Sequence, residues 1–484
     1  MLRWGVVSAV CVLAVVAAGT SAAARSSTRQ HVIATPGTIP LRTALFDPIF
    51  LGSQRAMALP MARAAGASYV RLFVEWRAIA PATPPQGFVA ADPTSPGYTW
   101  GNMDAILGAV EAAGLTPILD IVTPPTWGYD AQPDGVNNGG SPNVADLADF
   151  ATALATHYNG LTIGVPAEHV FQVWNEPNLS TNMSPVSAGK YRDMVNAVAD
   201  AVHAVDPSNV VVAGALAPFG HKKSKKQKWY TVAPLAFIRS LLCLSKGSHP
   251  RSTCSNQVRF EVWSHHPYSF GGPFGHAKLP DNVELGDLPK MRALLKAGVR
   301  VHHIVSAQPL QFWATEFGWN TKPPRPRGVS LSLASRWTAE SLHQMWLSGI
   351  SLVTWFLLQD FASPSTFDSG LFFHSSEVEN ARAKPVRTAF RFPFVSYLKK
   401  KKVSIWGRVA TSDKQVVTVQ RRHGKRGAWR TVAHVRSNQY GIFKATLKLK
   451  ATKKDSLRAV ANGSGKSLAF SLTVPRAPQV GSFG

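Results

Sequence analysis

Residues 42–394 repeat one pattern eight times: a short run of β-branched and aromatic residues, then a longer stretch with apolar residues at helical spacing. The short runs predict strands at 43–46, 69–74, 116–122, 170–174, 210–215, 259–265, 311–315 and 351–356. Helical periods fall between them, for example at 103–113, 145–158, 187–205, 288–297 and 333–347. The strands are apolar on both faces, so each must be covered twice, as in a parallel sheet wrapped by its own crossover helices. Eight such units in roughly 350 residues predict an α/β fold closed into a (β/α)8 TIM barrel. An open doubly wound sheet is the alternative, but no glycine-rich phosphate-binding turn follows the first strand.

Charge divides the remainder of the chain. The net charge is +25, and residues 395–484 hold 20 Lys and Arg against 2 Asp and Glu. Residues 42–394 keep only +4 of that excess. After the lysine run 399–402 the pattern changes to short alternating segments at 416–420, 429–435, 441–449 and 468–474, separated by Gly, Ser, Asn and Lys turns. We read 395–402 as a basic linker, 403–474 as a small all-β sandwich domain and 475–484 as a tail. The sandwich has no carboxylate pair or histidine cluster, so chemistry belongs to the barrel. Its basicity suits contact with anionic cell-wall polymers or acidic glycans, or solubility alone.

At the other end, Arg3 precedes an apolar run over 4–18 and the small residues Ala22, Ala23 and Ala24. That is the anatomy of a signal peptide, 1–24, cleaved before Arg25 and followed by a linker over 25–41. The chain is therefore expected to be secreted or cell-wall associated. No transmembrane anchor is expected, because no later segment sustains roughly 18 apolar residues. In an oxidising compartment Cys243 and Cys254 are expected to form a short-loop disulfide, two buried thiols being the alternative. No cysteine and histidine spacing suggests a metal. No cofactor is implied, and nucleic acid is a poor partner for an exported chain without a recognised nucleic-acid fold.

In a (β/α)8 barrel the chemistry sits where strands end and the following loops begin. The second run carries Arg71; the third leads into Thr123-Pro124-Pro125-Thr126-Trp127. The fourth ends Trp174-Asn175-Glu176-Pro177-Asn178, the sixth His265-His266-Pro267-Tyr268, the seventh Thr315-Glu316-Phe317, and the eighth carries Trp355. Glu176 and Glu316, three units apart, can face each other across a barrel mouth. Cleavage of a glycosidic bond needs such a pair, one acid to protonate the leaving oxygen and one carboxylate to attack the anomeric carbon.

The stretch resembles the clan of (β/α)8 retaining glycosidases that includes cellulase-like and β-xylosidase-like enzymes, over most of residues 42–394. In that clan an Asn-Glu pair ends the fourth strand and a second Glu the seventh, which match Asn175, Glu176 and Glu316. Arg71, the His-x-Tyr pattern of His266 and Tyr268, and the aromatic Trp355 match as well. The stretch from Arg71 to Trp76, with Tyr98, Trp100 and Asp104, looks like the β-xylosidase-like branch. The tail resembles the immunoglobulin-like modules of many exported proteins.

The resemblance implies Glu176 as acid/base and Glu316 as nucleophile, acting on an oligo- or polysaccharide. Glu176 must start protonated, so burial and the nearby charge of Glu316 are expected to raise its pKa. Arg71 and the Tyr268 hydroxyl are expected to hold Glu316. Asn175 is expected to meet the sugar 2-hydroxyl and Trp355 to give a pyranose ring a flat face; His266 is expected to bind substrate, a hydrogen-bonded packing residue at its strand end being the alternative. Trp127 can do likewise or can pack the rim. The segment 221–228, with five lysines after the fifth strand, reads as a solvated loop or as a device that draws acidic glycans to the cleft. A carbohydrate-binding barrel without turnover and a structural envelope protein are the alternatives from other classes.

Overall fold

The computed structural model describes residues 33–474 apart from 136–137, 223, 225–227, 363–366 and 412. The expected signal peptide, the start of the linker after it and the tail lie outside the described residues. Eight strands follow in order: β1 (Arg42–Phe46), β2 (Tyr69–Glu75), β3 (Thr116–Val122), β4 (Val170–Val173), β5 (Val210–Leu216), β6 (Val262–His265), β7 (Gln311–Phe317) and β8 (Leu352–Phe356). All neighbours pair parallel, and β8 closes on β1, so the sheet is a complete barrel without an edge. Around it run α1 (Arg55–Ala64), α2 (Gly101–Ala112), α3 (Val144–His157), α4 (Ala188–Val205), α5 (Pro234–Leu241), α6 (Leu288–Arg300), α7 (Leu331–Leu347) and α8 (Pro385–Arg391).

The local chemistry of the helix starts fits this arrangement. The Asn143 side chain accepts from the N–H groups of Ala145 and Asp146 at the start of α3, and Ser187 does the same for Lys190 at α4. Proline opens α5 and α8, where its missing N–H costs no helical bond.

Side chains alternate along each strand between the barrel interior and the helix layer. The lower interior is filled by Ala44, Ile118, Val170, Val212, Val262, Trp313 and Leu352. Two residues further along the strands the interior turns polar: Arg71, Asp120, Gln172, Ser264, Thr315 and Thr354 are all fully buried. An apolar plug of this kind, each large side chain contributing about 1.5–3 kcal/mol on burial, supports a polar floor at the C-terminal mouth.

Two expectations are corrected. The run 259–265 divides: Val258–Arg259 pairs with Ile304–Val305 outside the barrel, and β6 starts at Val262. In the break between them the Phe260 N–H donates to the Val305 carbonyl, while the Glu261 carboxylate accepts the Val211 N–H. The basic linker is instead a hairpin, in which β9 (Phe394–Lys399) pairs antiparallel with β10 (Lys402–Arg408). Its lysines lie at the solvent turn, where Lys400 takes φ +53, so charge marked a turn rather than a boundary.

The C-terminal module therefore begins at β9. Its other main strands are β11 (Val416–His423), β12 (Arg430–Arg436), β13 (Ile442–Leu447) and β14 (Asp455–Ala461). One sheet has the order β9-β10-β13; the other has β12-β11-β14 with two short strands beside β14. The module shares one apolar core with the barrel. Trp406 packs on His343 and Trp346 of α7, with ring centroids 4.8 and 5.6 Å apart. Arg336 of α7 lies 3.9 Å over the Phe470 ring and donates to the Ser471 carbonyl at 2.8 Å. Buried Arg408 reaches back to the Leu41 carbonyl at the entry to β1.

Candidate active site

Irregular backbone at two strand ends brings the two glutamates into the mouth. Past β4 the chain turns with Trp174 at φ +67 and Glu176 at φ +47, and the Glu176 N–H donates to the carbonyl of Ala215, itself at φ +47. Such left-handed non-glycine residues cost of order 1–3 kcal/mol each and persist where the surroundings fix them. At β7 the pairing with β8 runs from Ala314 beside Val353 to Phe317 beside Trp355, so one extra residue is accommodated. This bulge lets Thr315 and Glu316, which simple alternation would send to opposite faces, both serve the site.

The side chains then form one connected network. The Arg71 guanidinium donates to Glu316 Oε2 at 3.0 Å, to Asp120 Oδ2 at 2.5 Å and to Asn175 Oδ1 at 2.6 Å. Tyr268 donates its hydroxyl to Glu316 Oε1 at 2.8 Å. His266 Nδ1 lies 3.0 Å from Glu176 Oε1, and its Nε2 lies 3.2 Å from the Thr315 hydroxyl. The same Nδ1 is 3.9 Å from Glu316 Oε2, so these two carboxylate oxygens are at most the sum of the two Nδ1 distances, about 6.9 Å, apart. Arg71, Asp120 and His266 are fully buried, whereas the side chains of Glu176 and Glu316 keep 18% and 14% exposure. The two carboxylates are thus the charged groups of the network that a ligand can reach.

Burial pushes the Glu176 carboxyl up from 4.5 to about 7, against the pull of nearby Arg71. Burial, rather than the charge of Glu316, is the main raising cause. Burial likewise drives His266 down to about 3, so the imidazole is neutral at neutral pH, one nitrogen donating and the other accepting. Asp120 is pushed up to about 6 by burial, opposed by Arg71.

Arg71, Asn175, Glu176, His266, Tyr268 and Glu316 are brought together. His266 lies beneath the carboxylates instead of lining the open cleft. Trp355 is not part of the site: on β8, Thr354 and Phe356 take the inward positions, so Trp355 faces the helix layer, fully buried. Its indole packs on Phe317 and Phe390 and donates to the Ser369 carbonyl. Trp127 joins a rim cluster, edge-on to Trp76 at 5.3 Å and to Phe88 at 5.8 Å, and its Nε1 donates to the Pro81 carbonyl. It packs the rim.

Sequence reading missed Asp120, Thr315 and the aromatic wall. A lone carboxylate inside the apolar run Ile118-Leu119-Asp120-Ile121-Val122, on the same inward face as Arg71, was the available signal for Asp120. The wall consists of Phe46, Phe73 and Phe356 with Phe361 and Phe367. Phe46 lies 4.9 Å from Phe73 and stacks on Phe356 at 5.4 Å, and the Arg71 guanidinium sits over Phe46 and Phe73. Phe73, Phe361 and Phe367 remain partly exposed.

Cys243 and Cys254 are joined by a disulfide between α5 and β6, with Cα atoms 5.3 Å apart. Of the lysine segment, Lys223 and residues 225–227 lie outside the described residues; its base is closed by paired backbone bonds between His221 and Thr231. Among the described residues no cluster of three or more His, Cys, Asp or Glu could hold a metal, and no helix is long and apolar enough to cross a membrane.

Residues 44–270 match the family model described as cellulase (glycosyl hydrolase family 5). No match is found among curated proteins. Similar solved structures include the GH39 enzyme from Xanthomonas axonopodis pv. citri, 15% identical, covering 89% of this chain and 98% of that one with a TM-score of 0.48. A GH39 β-xylosidase from Caulobacter crescentus is 16% identical, covering 88% and 97%, with a TM-score of 0.49. A GH30 endoxylanase from Clostridium papyrosolvens is 11% identical, covering 86% and 96%, with a TM-score of 0.44.

Proposed function

We propose that this glycosidase-like barrel belongs to an exported retaining enzyme cleaving β-linked O-glycosidic bonds of an oligo- or polysaccharide by double displacement. The observation that carries this reading is the pair of partly exposed carboxylates gathered about one nitrogen, Nδ1, of a single buried neutral imidazole. The upper bound of about 6.9 Å on one pair of their oxygens is compatible with the roughly 5–5.5 Å between the carboxyl groups of retaining enzymes.

Glu316 is the nucleophile. Its two oxygens accept from Arg71 and Tyr268, which orients a lone pair toward the cleft. As its oxygen bonds to the anomeric carbon, the bond from that carbon to the leaving oxygen breaks, and Glu176 gives its proton to that oxygen. A water then enters, Glu176 takes its proton, the hydroxyl bonds to the anomeric carbon, and Glu316 leaves as carboxylate. A carboxyl at about 7 suits both halves of the cycle, since it can release and recover a proton near neutrality.

Asn175 Oδ1 accepts from the Arg71 guanidinium, which leaves the amide N–H2 to meet the sugar 2-hydroxyl. The phenylalanine wall, and not the buried Trp355, offers the stacking face. The N-terminal pattern of Arg3, the apolar run and the alanines supports export, as does the disulfide.

The test is turnover by the purified protein on a panel of aryl β-glycosides and polysaccharides. Glu176→Ala is expected to keep activity on substrates with good leaving groups and to be rescued by azide, whereas Glu316→Gln is expected to be inactive on all. Glycan binding without turnover on any substrate contradicts the reading and favours a carbohydrate-binding protein.

A further inference from the structure

We infer that the outer face of the β12-β11-β14 sheet is a binding site for a linear acidic polysaccharide, centred on Arg422, Arg458 and Trp429. Alternation along the strands defines this face. Val417 and Val419 of β11 and Leu457 and Ala459 of β14 point into the core, so Thr418, Gln420 and Arg422 on β11 and Ser456, Arg458 and Val460 on β14 point out. Arg436 lies opposite Val416 and Lys466 opposite Val460, on the same side.

The arrangement of the cations is specific. Trp429, just before β12, has the Arg458 guanidinium 4.2 Å and the Arg422 guanidinium 4.8 Å from its ring centroid. Arg458 is further fixed by donating Nε to Gln420 Oε1 at 2.9 Å. Two like charges gathered on one indole repel each other. The module's two acidic residues do not relieve them. Asp455 lies on the inner side, bonded to Arg421 and His423, and Asp413 is bonded in its turn by Thr411 and Gln415. Among the described residues neither Arg422 nor Arg458 has a carboxylate partner. The indole therefore pins two guanidiniums whose remaining N–H groups have no protein anion to meet, which lowers the ordering cost of binding one from outside.

Guanidinium forks recognise carboxylates in two-pronged fashion, and a flat sheet face carrying further cations suits an extended polymer. The choice of an acidic glycan over another polyanion rests on the glycosidase reading of the barrel. On this account the face holds a uronate-bearing polymer while the barrel works on a neighbouring chain or segment.

The experiment uses the full chain with Glu316→Gln, so that no probe is consumed. Affinity for polygalacturonate is compared with that for its methyl ester, which keeps the backbone and removes the charge, and with that for long-chain polyphosphate. Three backgrounds are measured: unchanged; Arg422→Gln with Arg458→Gln; and Lys448→Gln with Lys450→Gln, a pair of exposed lysines in the segment that follows β13, whose replacement removes the same net charge. Polygalacturonate is expected to bind, the ester at least about tenfold more weakly, with the arginine pair losing about tenfold and the lysine pair little. Trp429→Leu, which removes the ring while keeping both cations, is expected to weaken binding as well, and thermal melting checks that each variant folds. Equal losses in the arginine and lysine pairs, equal binding of the ester, tighter binding of polyphosphate, or no binding overturn the proposal. Aryl glycoside turnover with Glu316 intact is expected to be the same with and without the arginine pair. Absence of turnover would sink the barrel reading, independently of the binding result.

Discussion

Raising the pH through 7 is expected to switch off the acid function of Glu176 and to destabilise the fold at the same time. Burial lifts this carboxyl from 4.5 to about 7, a preference for the protonated form worth about 3 kcal/mol. Because the folded-state value is raised, the folded protein holds the proton more tightly than the unfolded chain. The associated stability is fully present below pH 4.5 and is lost as pH climbs to and past 7. Glu176→Gln removes the titration while keeping the shape. The unfolding free energy of this variant minus that of the wild type should be flat below pH 4.5 and rise by about 3 kcal/mol toward pH 8, as measured by urea denaturation at each pH. In parallel, kcat/KM for substrates with poor leaving groups should fall with an alkaline limb near 7, and substrates that need no protonation should lack that limb. A stability difference independent of pH, or an alkaline limb near 4.5, would refute the claim that burial keeps Glu176 protonated.

Arg71→Met leaves Asp120 and Glu316 without their shared cation, and should cost about 3–5 kcal/mol of stability; adding Asp120→Asn should recover part of the stability, by chemical denaturation, but none of the activity. Breaking the Cys243–Cys254 bridge by Cys→Ser at both positions should lower stability by about 3 kcal/mol, for a loop with a sequence separation of 11, with kcat/KM unchanged. Trp355→Ala should cost about 3–5 kcal/mol in folding, since its indole is wholly packed, whereas Phe73→Ala should raise KM with a smaller effect on stability. Comparable KM effects from both substitutions would place Trp355 back in the cleft.

All eight barrel strands were legible because their apolar runs are bounded by turns and separated by helical periods. The carboxylates were legible because strand ends are where a barrel keeps its chemistry. What escaped reading depended on parity and on tertiary context. Trp355 sits one position from the inward-facing Phe356, and a one-residue difference along a strand moves a side chain to the opposite face. Glu316 itself is legible at its strand end, but the bulge that turns it to the site is announced by no periodicity. Asp120 was hidden because a buried carboxylate is intelligible only beside its partner, 49 residues away in the chain at Arg71. The lysines of the β9–β10 turn read as a linker because exposed charge is common to turns and boundaries alike. Only the pairing of Val395 with Trp406 and its neighbours distinguishes the two.

The central claim is that Glu316 attacks the anomeric carbon. It is tested most directly by incubating the protein with activated 2-deoxy-2-fluoro β-glycosides of several sugars, for which a glycosyl-enzyme forms faster than it hydrolyses, and reading intact mass and then a peptide map. The account predicts a one-to-one adduct on the peptide containing Glu316, absent from Glu316→Gln and slowed in Glu176→Gln only for poor leaving groups. Turnover of ordinary glycosides without any adduct, or an adduct on a different carboxylate, would contradict it.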